Sequence, residues 1–214
     1  RGARVSWSRV QAESEAAQHI GSLALKVAAD ATFRHVSVNR GAALARWQAF
    51  TTISGAGADV AFNGATMLSG EERSDSTLVL RHDAPHSTSH ELFKAVVADR
   101  AQGAFQGMIS VDAEAQKTDA SMMSQAMMLS DEAQFAAKPE LEIFADDVQC
   151  AHGATSGQID EDLLFYLRAR GIPEAQAKML LVLAFLAEAV EEMEDEGIVS
   201  ALEGRIRNWL SVEE

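Results

Sequence analysis

The middle of the chain is a succession of short alternating apolar segments broken by turn-forming residues, and this most constrains what it can fold into. Trp47, Ala49, Thr51 and Ile53 alternate with Gln48, Phe50 and Thr52. Val60 and Phe62 alternate with Ala61 and Asn63, Leu78 and Leu80 share one face, and Ile109 and Val111 share another. Between them stand Asn39-Arg40-Gly41, Gly55-Ala56-Gly57, Asn63-Gly64 and Gly70. A period of two is the mark of a strand with one buried face. Strands recurring every ten to fifteen residues or so predict a sandwich, a barrel or a solenoid. No long helices alternate with them, which argues against a doubly wound α/β sheet. No strict sequence repeat selects the solenoid.

The flanks read differently. From Ser14 to Asp30 the period is ambiguous, and a strand is expected from Leu23. The third region, from about Ile159, is helical. Asp160 is placed to cap a helix carrying Leu163, Leu164, Tyr166 and Leu167, ending at Gly171. Pro173 suits a first helical turn. It opens a long helix expected over Glu174 to about Glu196, stopped by Gly197, with a last helix from about Val199 to Leu210. The expected division is a β body over 1–158 and a helical appendage over 159–214.

Charge and cysteine count remove several functions. The 214 residues include 32 acidic and 18 basic side chains, a net charge of −14. Nucleic acid and anionic membranes reward the opposite sign. The longest apolar run, Met179 to Ala187, is about half the roughly 20 residues a membrane span needs, so the cytoplasm is the expected compartment. One cysteine, Cys150, makes no intrachain disulfide and completes neither a zinc ribbon nor a four-thiolate cluster shell. There is no Gly-Lys-Ser/Thr phosphate loop and no Gly-x-Ser-x-Gly elbow.

Three groups of side chains could carry chemistry. His82, His86 and His90 are spaced four apart, but Pro85 breaks the helix that would align them; surface or capping histidines at a turn are the competing reading. Cys150-Ala151-His152 puts a thiol and an imidazole on one face of a strand, a pair that suits a soft metal or a stabilised thiolate, although Asp146 and Asp147 would oppose that thiolate. Met122, Met123, Met127 and Met128 cluster near one expected turn and read as core filling or, less simply, as soft-metal ligands. The acidic run Glu188 to Glu196 is a solvated helix end or a docking face for a basic partner.

Several longer stretches resemble one family. Lys138 to Gly157 (KPELEIFADDVQCAHGATSG) resembles the signature block of the SufD branch of the SufB/SufD family. His82-x-Ala-Pro-x-Ser-x-Ser89 followed by Leu92-Phe-Lys94, Phe105-x-Gly-x-Ile109, Ala115-Gln-Lys-Thr-Asp119 and Phe165-Tyr-Leu-x-x-Arg-Gly171 match in order and spacing. The SufB branch carries a cysteine where this chain has Ser124-Gln125-Ala126-Met127-Met128, and acidic flanks where His152 has Ala151 and Gly153.

The resemblance implies a mainly β fold: a right-handed parallel β-helix with a small C-terminal helical domain, the β-helix truncated at its N-terminal side. It implies a non-enzymatic role in the SUF machinery for iron–sulfur cluster assembly. SufB is the implied partner through the β-helix. SufC, an ABC-type ATPase, is the implied partner through the helices, at Phe165, Tyr166, Arg168, Arg170, Gly171, Pro173 and Phe185. Cys150 and His152 become candidate ligands for iron or a nascent cluster held transiently at a shared SufB–SufD interface, with none bound stably by the isolated chain. The other readings are a SufB-like scaffold, a homodimer through open solenoid edges and a β-helix enzyme acting on polysaccharide.

Overall fold

The computed structural model describes residues 1–191, 193 and 196–212. Its strands are β1 (Arg4–Glu13), β2 (Gln18–Val27), β3 (Thr32–Gly41), β4 (Leu44–Ile53), β5 (Asp59–Leu68), β6 (Arg73–His82), β7 (Thr88–Val97), β8 (Gln102–Val111), β9 (Asp119–Met128), β10 (Gln134–Ile143) and β11 (Gln149–Gly157). The odd-numbered strands form one sheet in the order β1-β3-β5-β7-β9-β11, and the even-numbered ones a second, β10-β8-β6-β4-β2. Every pairing is parallel. Parallel neighbours need a crossover, and here each crossover is a strand of the opposite sheet. The chain is therefore a β-solenoid, one of the three all-β options left open by the alternation.

Equivalent residues of successive coils are Arg4, Thr32, Asp59, Thr88, Asp119 and Gln149. Their spacing varies because the turns differ in length, which is why no fixed period shows in the sequence. Inward side chains stack coil upon coil: Trp47, Ala49, Ile53, Leu78, Leu80, Ile109 and Val111 are buried in one core that runs along the lumen. The strand expected from Leu23 begins earlier, at Gln18, and β1 lies in a region given no element. Asn63 and Gly64 sit inside β5 rather than in a turn. Gly64 is needed there because a Cβ would stand 2.8 Å from the Phe93 ring and 3.1 Å from Ser37 Oγ.

The helices are α1 (Glu161–Ala169), α2 (Glu174–Ala187) and α3 (Glu196–Val212). Asp160 caps α1, accepting from the amides of Asp162 at 2.9 Å and Leu163 at 3.0 Å. Gly171 follows with φ +86°, the left-handed position that closes a helix. Pro173 occupies the N-cap of α2, one place before the first turn. The long helix expected to reach Glu196 stops at Ala187. Beyond it Ala189, Val190 and Met193 turn inward and are buried, so the backbone leaves the helical path to bury apolar surface. Gly197 consequently lies in the first turn of α3 and ends nothing. Leu186, Val190, Leu202, Ile206 and Trp209 cover Val36, Val38, Ala65, Met67 and Val96 on the outer face of the six-stranded sheet.

Candidate functional site

Cys150 and His152 both lie on β11, the terminal strand of the six-stranded sheet, whose one strand partner among the described residues is β9. Cys150 pairs with Ala120 and His152 with Met122. Alternation sends both side chains to the lumenal face. The thiol is half-buried against the main core, whereas His152, with no further coil above it, is exposed. Burial pushes the Cys150 thiol above its ordinary value, the Asp119 carboxylate adds to the effect, and the Ala120 backbone draws it back. The opposing carboxylate is therefore Asp119 on β9, two strands distant in sequence, rather than Asp146 or Asp147. Asp147 is exposed in the β10–β11 turn and pairs with Lys117. Among the described residues no three His, Cys, Asp or Glu side chains converge as a metal cluster.

The other candidates separate. His82 ends β6 fully buried, contrary to the surface or capping reading, with Nδ1 2.7 Å from Ser87 Oγ and Nε2 3.1 Å from Ser89 Oγ. Ser87 donates to the Ala84 carbonyl, so Nδ1 of His82 carries the proton and Nε2 accepts from Ser89. His86 stands at a turn with φ +56°, and His90 faces outward onto Ser121 at 2.8 Å. The methionines sit within β9, not at a turn, and alternation divides them: Met122 is buried in the lumen, Met123 is exposed, and Met127 packs beneath the helices.

On the helices, Phe165 is 72% and Tyr166 53% exposed on α1. Arg170 lies over the Tyr166 ring at 4.5 Å, and Arg168 reaches Glu174 at 3.3 Å. Phe185 does not join this surface. Its ring faces β7, 4.5 Å from Lys94 Nζ, and Lys94 also pairs with Glu188. Glu188 thus anchors the chain just past α2; Glu192, Glu194 and Asp195 of the acidic run lie outside the described residues. Lys94 appears in the sequence only as part of the Leu92-Phe-Lys94 match. An isolated lysine in a strand gives no sign that it is buried.

A second buried ionisable group also escaped the sequence reading. Glu91 on β7 is 3% exposed in the lumen, and burial raises its carboxyl to about 8. Burial also lowers His82 and His35 to about 4. Between pH 6.5 and 4 the unfolded chain binds more protons at the two histidines, so stability falls as pH drops through that window. From pH 4.5 to 8 the folded chain keeps the Glu91 proton that the unfolded chain loses, so this group removes stability as pH rises. Two histidines outweigh one glutamate below pH 6.5, and Glu91 acts alone above it. Urea midpoints are therefore expected to peak near pH 6.5, with Glu91→Gln removing the alkaline decline. A wild-type midpoint still rising from pH 7 to 9 would contradict this.

Two parallel sheets wound into one solenoid, ending on a strand that presents Cys-x-His, define a class. Residues 1–185 match the family model described as "SUF system FeS cluster assembly, SufBD core domain", and the chain belongs to that family. It is 36% identical, over 91% of its length, to the iron–sulfur cluster assembly protein SufD of Escherichia coli K12. It is 36% identical over 98% of its length to the iron–sulfur cluster assembly SufBD family protein slr0076 of Synechocystis. Identity to the chloroplastic protein ABCI7 of Arabidopsis thaliana is 30%, again over 98%. The chain spans 46%, 45% and 44% of these relatives, respectively. No helix among the described residues is long and apolar enough to cross a membrane.

Proposed function

We propose that this chain is the β-helix and helical portion of a non-enzymatic SufD-type subunit in an iron–sulfur cluster assembly complex. It pairs with the SufB paralogue through the solenoid and with the SufC ATPase through the C-terminal helices. Cys150 and His152 supply part of a ligand set for iron or a nascent cluster, and the paralogue completes it. The observation that carries the reading is the position of the pair: one thiol and one imidazole on the same face of a terminal strand. Among the described residues no strand pairs with its other edge, whose backbone suits a second sheet. A four-coordinate site built on two ligands needs two more from outside the pair.

In the reconstituted complex, His152→Ala and Cys150→Ser are expected to lower iron loading and cluster yield several-fold while subunit assembly persists. Unchanged yield in both variants would remove the pair from the mechanism. The docking surface calls for point substitutions, because deleting 159–214 would uncover the apolar outer face of β3, β5 and β7. Phe165→Ala with Tyr166→Ala should abolish co-purification with the ATPase and leave the urea midpoint within about 0.5 kcal/mol of wild type, as expected for exposed positions. Retained ATPase binding would count against α1 as the contact.

A further inference from the structure

Three successive coils place Ser89-x-Glu91, Ala120-x-Met122 and Cys150-x-His152 one above another. Ser89 pairs with Ala120 and Ala120 with Cys150; Glu91 pairs with Met122 and Met122 with His152. Glu91 therefore lies two strand spacings, roughly 10 Å, from the His152 backbone on the same lumenal row. Between them stands one flexible side chain, Met122, which reaches across the lumen toward Gly107. Both Glu91 carboxyl oxygens are buried without a hydrogen bond of ordinary geometry, and the Ser89 hydroxyl, the one polar group near them, offsets only a small part of the effect of burial. Buried polar groups are nearly always satisfied, so an orphaned carboxyl calls for a cause.

Among the described residues the surroundings supply no countercharge. On the flanking strands Glu91 meets Phe62 and Met122. Ser89, the polar neighbour on its own strand, is bonded to His82. His82 and, beyond Phe62, His35 are the lumenal titratable groups around it, and burial keeps both neutral. Leu78, Leu80, Gly107 and Ile109 line the lumen from β6 and β8. Arg9, at the β1 end, is engaged by Asn39 and His19. His90 and Lys94 leave β7 on the outer side, toward Ser121 and Glu188.

We propose that Glu91 is the charge-compensating group for a divalent cation held at Cys150 and His152, neutral while the edge is free and ionised when the cation arrives. The inference rests on the reading of that pair given above. The Cys150 S–H bond breaks as the sulfur–cation bond forms and the Glu91 O–H bond breaks as well; both protons go to bulk water, the lumenal carboxylate faces the one net positive charge the site has gained, and no electron moves. At roughly 10 Å and an effective dielectric near 20, the net single positive charge left after the thiolate forms favours the ionised carboxyl by about tenfold to twentyfold. That carries a group half-ionised at about pH 8 to about half-ionised at neutral pH. The cation gains affinity in return, by the reciprocity of linked equilibria.

The test uses the reconstituted complex with the SufB paralogue and cobalt(II) as the probe; the part of the thiolate–cobalt absorption band that Cys150→Ser removes reports ligation by Cys150. At pH 7 the wild type should release about half a proton more per cobalt than Glu91→Gln and bind it about twofold to threefold more tightly. The infrared C=O band of a carboxylic acid should be present in the free wild type, weakened by about half in the cobalt-loaded wild type and absent from free Glu91→Gln. Equal proton counts and equal affinities would overturn the proposal. Cys150→Ser separates the two layers. If it retains the thiolate–cobalt band undiminished, the site reading fails and this inference with it. If it loses the band while Glu91→Gln matches wild type, Glu91 alone is excluded.

Discussion

Gly55→Ala is expected to destabilise the solenoid by about 3 kcal/mol or more, among the largest effects any single methyl group could have here. Gly55 lies in the β4–β5 turn, stacked directly on the β2–β3 turn of the preceding coil. Ser54 N–H donates to the Val27 carbonyl at 2.9 Å, and Asp30 N–H to the Ala56 carbonyl at 3.0 Å, so the two turns are held together on both sides. A Cβ on Gly55 would fall inside contact distance of the Ala29 backbone and within 2.5 Å of the Ala28 carbonyl carbon. A flexible side chain could swing away; backbone locked into two stacked coils cannot. Gly57 provides the control. It has φ +69°, and its Cβ would meet only Asp30 Oδ1 at 3.1 Å. Gly57→Ala should therefore cost the ordinary left-handed penalty of about 1–2 kcal/mol. Urea unfolding of both variants checks the contrast. A Gly55→Ala midpoint within 0.5 kcal/mol of wild type, on the scale expected for neutral surface changes, would mean that the coils are not stacked this tightly.

The second large effect is asymmetric. Lys94 is 3% exposed beneath the helices, while its partner Glu188 keeps 61% of its side chain in solvent. Removing the carboxylate strands the buried ammonium over the Phe185 ring. Removing the lysine returns the carboxylate to water. Glu188→Ala should therefore cost roughly 2–3 kcal/mol, toward the lower end of what breaking a buried pair costs. Lys94→Met, which keeps the volume and discards the charge, should stay within about 1 kcal/mol of wild type. The double variant should recover most of the Glu188→Ala loss, giving a coupling energy of the kind found between contacting residues. If Lys94→Met were the more damaging change, the pair would owe its contribution to Coulomb attraction rather than to relief of a buried charge.

How legible these features were in the sequence depends on the range of the interactions involved. Asp160 as a cap and Gly171 as a helix stop are local rules, acting within a turn, and the structure places both where the sequence does. The alternation of Trp47, Ala49, Thr51 and Ile53 is local too, and it becomes β4. The end of α2 was not legible, because a run from Ala177 to Glu196 is good helical sequence throughout. The apolar outer face of the sheet draws in Ala189, Val190 and Met193 and ends the helix at Ala187. The methionines of β9 read as a cluster along the chain and are split by the pleat. Cys150 and His152 were legible as a pair because they are two residues apart. Asp119, which opposes the thiolate, was not, because it arrives from the neighbouring coil.

The sequence by itself determined that this chain makes many short strands with one buried face, closes with helices, and carries a thiol and an imidazole side by side. Those properties follow from period, caps and spacing within a few residues. Only the tertiary structure decided that every strand pairs in parallel with one a coil away and that β11 is a terminal strand. It also decided that Glu91 lies two strands from His152 and that Lys94 is buried under Glu188. Coil stacking brings together residues about thirty apart, at spacings that vary with turn length, and no local rule carries information over that distance.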